Sequence, residues 1–285
     1  MNARIERGYA ATLPTPGKRV DVRTSVAVIV MHAVALAAPW TFSWIGLLLF
    51  AILAYITLVF GLIIGYHRFF THRSFETSAA VSCAFAVVGI FALEGTPIRW
   101  AATHRLHHLS ADKPKDPHTP RRGLAWAHVI WSMFFHEELC SDDEIRYWVK
   151  DLSRDQRLVW LGKRFLQMNL ILGGVCLLLA YATGGWARML SVLVWGFCLR
   201  ICAVWHASWL VNSFCHRHGY RNFETPDDST NNWFVALLTF GEGWHNNHHA
   251  RPRLANFGLR TWEIDCSFLH ILLMERIGLV WKVKR

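Results

Sequence analysis

From Thr24 to Tyr66 the chain contains no Asp, Glu, Lys or Arg. A run of that length is about twice the roughly 20 residues that one helix needs to cross a bilayer. Pro39, Trp40 and Thr41 interrupt it near the middle, so the pattern predicts two spans, about 24–39 and 44–65, joined by a tight turn. A second apolar block, Phe165 to His216, carries only Arg188 and Arg200 as charges. Thr183-Gly184-Gly185 breaks it into predicted spans at about 165–182 and 187–210. Thr77 to Leu93 is borderline in length and ends in Glu94, Gly95 and Pro97, which predicts a re-entrant or interfacial helix over about 77–93. The segments 99–164 and 217–285 are mixed and charged, with no internal repeat. The expectation is an all-α membrane protein: one integral-membrane domain over 1–285, four transmembrane helices in two hairpins, and a helical cap on one side.

Charge orients these elements. The chain carries 30 Lys and Arg against 20 Asp and Glu, a net charge of +10. The tail 1–23, the 67–164 region and the C-terminal region hold 28 of the 30; Arg188 lies in a turn and Arg200 inside a span. The positive-inside rule therefore places both termini and the cap in the cytoplasm, in a multi-pass protein. No Lys/Arg run of nucleic-acid type occurs, and the apolar runs exclude a soluble nucleic-acid binder. The N-terminus lacks a short apolar core with a cleavage site, so it reads as a cytoplasmic tail rather than a signal peptide. Seven cysteines, odd in number and mostly in apolar stretches, fit reduced thiols rather than a disulfide framework.

Sixteen histidines change the picture from a membrane protein to one with chemistry. Nine fall into spaced groups at the predicted cytoplasmic boundary. His67 and His72 form His-x4-His in HRFFTH, His104, His107 and His108 form His-x2-His-His in HRLHH, His216 ends NSFCH, and His245, His248 and His249 form His-x2-His-His in HNNHH. On a helix, positions i, i+3 and i+4 share a face, so each triplet can aim three imidazoles at one point. Positions i and i+5 point apart on a regular helix, so the first pair either grips two metals or lies where the helix is distorted. The topology brings all four groups to one place. Neutral imidazoles clustered without a cation would each need a partner of their own, so the cluster points to metal ligation. Nine imidazoles, with Asn212 a turn before His216 reaching through a water, exceed the four ligands of a structural zinc and suit two metals. An all-nitrogen site beside an apolar cavity points to iron and O2 chemistry. No His-Glu-x-x-His occurs, which disfavours a zinc protease. His32, His118, His128, His136, His206, His218 and His270 read as interfacial or core residues.

HRFFTH, HRLHH and GEGWHNNHH resemble the three histidine boxes of the membrane fatty acyl desaturases. WLVNSFCHRHG is similar to that family's fourth element, and DPHTPRRGLAWAHVIW to its segment after the second box. The resemblance runs from about His32 to Leu279 and is nearest the Δ9 type, the stearoyl-CoA desaturases and their bacterial and cyanobacterial relatives. Carried over by position, it implies a diiron site held by His67, His72, His104, His107, His108, His216, His245, His248 and His249, with Asn212 holding a water. It implies O2 as co-substrate and two electrons from a separate protein such as a ferredoxin or a cytochrome b5-like protein, since no such domain is appended. The product would be a cis double bond in a saturated acyl chain held as a CoA thioester or a lipid. After HVIW the acyl-CoA enzymes carry a basic cluster, whereas this chain reads SMFFHEEL, acidic at Glu137 and Glu138. That departure shifts the expectation toward a lipid- or carrier-bound acyl group.

With no polar handle near the reacting carbons, the site of attack must be set by depth in a closed apolar tunnel. Its floor is expected on the second span, where Tyr55, Val59 and Ile63 step back from His67 at four-residue intervals, with Tyr55 as the stopper. Trp205 and Trp209 are expected to shape the wall. Arg105, Arg121 and Arg122 are candidates for a head group or the lipid surface, and the basic cap for an acidic electron donor. A hydroxylase on the same scaffold is the alternative within enzymes. A haem-binding membrane cytochrome or a metal transporter is the alternative outside them; those place ligands within the spans, where this chain has only His32 and His206.

Overall fold

A computed structural model describes residues 19–139 and 141–285; the predicted tail thus lies largely outside the described residues, as does Cys140. The first apolar run folds as helix α1, Val22–Ala35, a 3-10 turn at Ala38–Thr41, and helix α2, Trp44–Thr71. Asp21 caps α1 by accepting the Thr24 N–H at 3.1 Å, and Ser43 caps α2 through the Gly46 N–H at 3.0 Å. Each cap satisfies a backbone donor that the first turn leaves free. The second apolar run is helix α8, Phe165–Ser191, then a wide-turn stretch Val192–Leu199, then helix α9, Arg200–Phe214. Gly184 and Gly185 leave helical geometry inside α8, and Gly185 takes φ +62°, which glycine adopts at no steric cost. That break coincides with the predicted turn.

Between and after these runs lie α3 (Ala79–Ile90), α4 (Pro97–Ser110), α5 (Leu124–His128), α6 (Asp142–Trp148), α7 (Gln156–Lys163), α10 (Trp233–Leu238), α11 (His245–Ala250) and α12 (Cys266–Arg276). The strands β1 (Glu76–Thr77) and β2 (Val280–Trp281) pair antiparallel, Glu76 opposite Trp281, tying the C-terminus to the end of α2. Among the described residues, two helical runs are long and apolar enough to cross a membrane, Trp44–Thr71 and Phe165–Phe214. α1 and α3 are shorter apolar helices.

The largest core cluster surrounds the lower half of α2, with Val59, Ile64, Tyr66 and Phe70 fully buried against α3 and α4. α2 and α3 touch backbone to backbone: a Cβ on Gly61 would lie 2.9 Å from Gly89 Cα, and one on Gly89 would lie 2.1 Å from the Tyr66 ring. Exposed apolar side chains gather on α1, α2 and α8, including Ile29, Leu48, Leu170 and Leu178. A second exposed apolar set, Trp233, Leu237, Leu269 and Leu273, sits on α10 and α12. α12 lies beside α2, with His270 hydrogen-bonded to the Tyr55 hydroxyl.

Candidate metal centre

The lower half of α2, Ile56–Thr71, is wound with i→i+5 hydrogen bonds rather than i→i+4, and the His72 N–H closes such a bond on the His67 carbonyl at 3.1 Å. This winding places i and i+5 on one face, so the two histidines of HRFFTH meet, ring centroids 4.8 Å apart. Of the two readings left open by the spacing, the distorted helix is the one found; such turns recur at functional sites.

The nine histidines form two groups, in each of which the ligating nitrogens lie within 4.8 Å of one another: His67, His72, His104, His108 and His248, and His107, His216, His245 and His249. Each triplet divides between them. On α4, His104 and His108 serve the first group and His107 the second; on α11, His245 and His249 serve the second and His248 the first. The i, i+4 pair shares a line along the helix, while i+3 is turned toward the neighbouring group.

The electrostatics fit cations. His67, His107, His216 and His249 each donate Nδ1–H to a buried carboxylate: Glu242, and Asp116, Asp112 and Asp227 at 3.0, 2.9 and 3.0 Å. In the neutral ring such a donation leaves Nε2 as a bare lone pair, the usual arrangement of a metal-bound imidazole. His107 and His249 then face each other Nε2 to Nε2 at 3.3 Å with no proton available between them. A cation between such nitrogens turns repulsion into ligation. His67 Nε2 lies 3.0 Å from His248 Nε2, His245 Nε2 3.1 Å from His216 Nε2, and His72 Nε2 is buried without a partner. Burial, reinforced by neighbouring imidazoles, holds His72, His104, His108, His245, His248 and His249 well below the ordinary histidine range, so these rings are neutral donors at pH 7.

Arg68, fully buried, donates to Glu242 at 2.7 Å and to Asp265 at 2.9 Å and lies over the Phe257 ring, locking the carboxylate that orients His67. Asn231 accepts the N–H groups of Asn246 and Asn247, pinning the first turn of α11. The carboxylates and Arg68 escaped the sequence reasoning. Glu242 stands inside GEGWHNNHH and Asp112 and Asp116 just after HRLHH, but nothing in their spacing marks them as partners of particular histidines. His118, set aside as a core residue, lies 4.3 Å from His107 centroid to centroid and forms a further buried cluster with His107 and Asp116.

A cavity of about 590 Å³ opens beside the site, lined by His67, His104, His245 and Asn212 and by apolar side chains. Leu58, Leu62 and Ile63 form its α2 wall, and Trp205 and Trp209 line it from α9. Tyr55 and Val59 are not among its lining residues; Tyr55 is engaged with His270. Arg105 is likewise elsewhere, paired with Asp151 at 2.7 Å and with the carbonyls of Phe70 and Thr71. Arg121 pairs with Asp228 at 2.9 Å, and Arg122 lies over Trp126. His32, His206 and His128 form a hydrogen-bonded chain outside the metal groups, 3.1 and 2.9 Å per link.

Residues 23–263 match the family model for fatty acid desaturases. The chain is 37% identical to an sn-2 palmitoyl-lipid 9-desaturase of Nostoc sp. (strain 36), over 96% of this chain and 95% of that protein. It is 41% identical to an sn-1 stearoyl-lipid 9-desaturase of Anabaena variabilis, over 89% and 90% respectively. It is also 41% identical to an acyl-CoA 5-desaturase of Anemone leveillei, over 89% of this chain and 76% of that protein. Matched over most of its length by the family model and by these enzymes, the chain belongs to the fatty acid desaturase family, oxidoreductases that introduce a double bond into a fatty acyl chain.

Proposed function

We propose that the protein is an O2-dependent diiron desaturase that introduces a cis Δ9 double bond into a lipid-bound acyl chain. The observation that carries the reading is the pair of histidine groups, five and four residues, with bare Nε2 atoms turned on one another beside an apolar cavity. One iron would be held by His67, His72, His104, His108 and His248. The other would be held by His107, His216, His245 and His249, with Asn212 completing it through a water. Bound iron supplies the reductive activation of O2 that cleavage of an unactivated C–H bond requires. Over the whole reaction two hydrogens leave adjacent carbons, and O2 with two electrons and two protons ends as two waters.

The remaining work belongs to the protein. Glu242, Asp116, Asp112 and Asp227 hold the Nδ1 protons and fix ring orientation. The wall of Leu58, Leu62, Ile63, Trp205 and Trp209 excludes water and holds the methylenes in line. The names of the two cyanobacterial relatives support the lipid carrier and the Δ9 position, and the acidic SMFFHEEL segment agrees. Exposed cations Lys113, Lys115, Arg217, Arg251 and Arg253 flank the second histidine group in sequence, which supports docking of an acidic electron donor such as a ferredoxin. A cytochrome b5-like donor would use the same surface.

The apolar exposure of α1, α2 and α8 supports four spans, with the metal centre, the cap and both termini on the cytoplasmic side. Expression in a host with a ferredoxin system, followed by mass analysis of acyl chains, tests the chemistry: loss of two hydrogens is expected, and gain of one oxygen would identify a hydroxylase. The purified protein should carry two irons and no haem absorption band. Replacing His107 or His248 by Ala should abolish double-bond formation with the protein still inserted; activity retained in both variants would overturn the site.

A further inference from the structure

Three histidines that spacing assigns to no metal, His32 on α1, His128 on α5 and His206 on α9, meet in one hydrogen-bonded row. Their protons can be followed one ring at a time. His32 Nδ1–H donates to the Val28 carbonyl at 2.7 Å, so the neutral ring carries a bare Nε2. At the other end the Ser213 hydroxyl donates to the Trp209 carbonyl at 2.9 Å. Its oxygen is then free to accept from His128 Nδ1–H at 3.0 Å. Burial holds His128 below the ordinary histidine range, so its ring is neutral at pH 7 and its Nε2 is bare in turn. That nitrogen accepts from His206 Nδ1–H at 2.9 Å, which leaves His206 Nε2 bare as well. It faces His32 Nε2 at 3.1 Å, two lone pairs with no proton between them. Only the opposite proton order, with the Ser213 hydroxyl turned to His128, puts a proton in that gap.

We propose that His32 and His206 hold a divalent metal ion of the zinc and copper class between α1 and α9, with His128 and Ser213 setting the tautomer of His206. The pair has the geometry of two ligands of one ion. Its ring centroids lie 5.1 Å apart with the planes at 85°. His216 and His245, inside the second metal group, lie 5.0 Å apart at 72°, with their Nε2 atoms also 3.1 Å apart. Two nitrogens bound to one tetrahedral zinc stand roughly 3.3 Å from each other. Imidazole nitrogens without a carboxylate suit zinc and copper rather than calcium or magnesium. His206 is exposed, which gives an ion access and leaves its remaining positions to water. The ion is separate from the two proposed irons. Val28 and Met31 of α1 and Trp205 and Trp209 of α9 line the cavity, so an ion bound beside them staples one wall of that cavity across two helices.

Zinc binding to the full-length protein tests the site, with the nine histidines first loaded with iron and the pH mildly alkaline so that the row is neutral. Equilibrium dialysis against micromolar zinc, with metals counted by mass spectrometry, should give wild type one zinc more per chain than His32→Ala or His206→Ala. Should zinc also enter the nine-histidine groups, the difference of one ion between wild type and these variants still reads this site alone. His128→Ala keeps both ligands but removes the acceptor for His206 Nδ1–H, so it should bind the same ion about 10–100-fold more weakly. Zinc should raise the thermal unfolding midpoint in detergent more for wild type than for His206→Ala. His206→Gln, which keeps a side-chain donor for His128 without a ligand nitrogen, gives the same reading where the alanine variant folds poorly. Equal zinc counts in wild type and in the His32 and His206 variants overturn the proposal and leave a proton as the group that closes the pair.

Discussion

An imidazole whose Nδ1 is committed presents Nε2 in a fixed direction, and four carboxylates make that commitment for His67, His107, His216 and His249. Asp116 and Asp112 are held below the ordinary carboxylate range: their own burial opposes this, but the imidazoles of His107 and His216 and backbone donors outweigh it. Asp116→Asn should leave the ligand count intact yet weaken metal binding by about 10–100-fold, as measured by metal titration of the stripped protein. The grouping of nine histidines could be found from spacing because residue type and helical position are both written locally. Their carboxylates could not, since Asp227 and Glu242 reach their histidines only through the fold. Arg105 shows the opposite error: an arginine beside the second box invites a head-group role, yet it is held by Asp151 and two carbonyls of α2. Asp151, at 41% side-chain exposure, is kept below the ordinary Asp range by Arg105 and Arg73 in spite of partial burial. A carboxyl lowered on folding contributes stability above its unfolded value, near pH 4, and loses it as the pH falls through its folded value. Acid titration of thermal stability should therefore show a loss below about pH 4 that Asp151→Asn lacks, with a difference of about 1 kcal/mol for so exposed a pair.

At the level of elements, the apolar runs located the starts of α1, α2 and α8 to within two residues and the Gly184–Gly185 break inside α8, whereas α2 runs to Thr71, past the expected end, and the regular α-helix of α9 begins only at Arg200. The winding of α2 was only half legible: His-x4-His left a distorted helix as one of two readings, and no local residue marks an i→i+5 turn. The wall α2 offers the cavity is Leu58, Leu62, Ile63 and His67, and not the series Tyr55, Val59, Ile63. The same stretch depends on close approach to α3. Gly89→Ala would drive a methyl into the Tyr66 ring, so a loss of about 1–3 kcal/mol is expected from overpacking, read as a lower unfolding midpoint in detergent. Gly185→Ala, where no neighbour lies within 4 Å but φ is +62°, should cost less, about 1 kcal/mol, from backbone strain alone.

Across the whole molecule, the proposed orientation rests on charge asymmetry, which packing alone does not supply. Single cysteines introduced at Gly185 and at Arg253 should label from opposite sides of intact membranes; labelling of both from one side would contradict the four-span topology. The apolar exposure of α10 and α12 was hidden in the sequence, since 217–285 reads as mixed and charged. With His270 against Tyr55 of a helix long and apolar enough to span, the proposed topology would bring that part of the cap into contact with lipid. Salt should accordingly fail to strip the cap from lipid.

The division of each histidine triplet has a thermodynamic consequence. α4 and α11 both deliver ligands to the two groups at once, so seating either helix to suit one group also fixes the side chains of the other. If each group holds a metal as proposed, occupancy of the first would lower the ordering cost of the second, which is positive linkage without any change of fold. Iron titration of the stripped protein should then rise sigmoidally, and singly loaded molecules should be scarce throughout. A variant lacking one ligand, such as His72→Ala, should lose metal from both groups and not from its own alone.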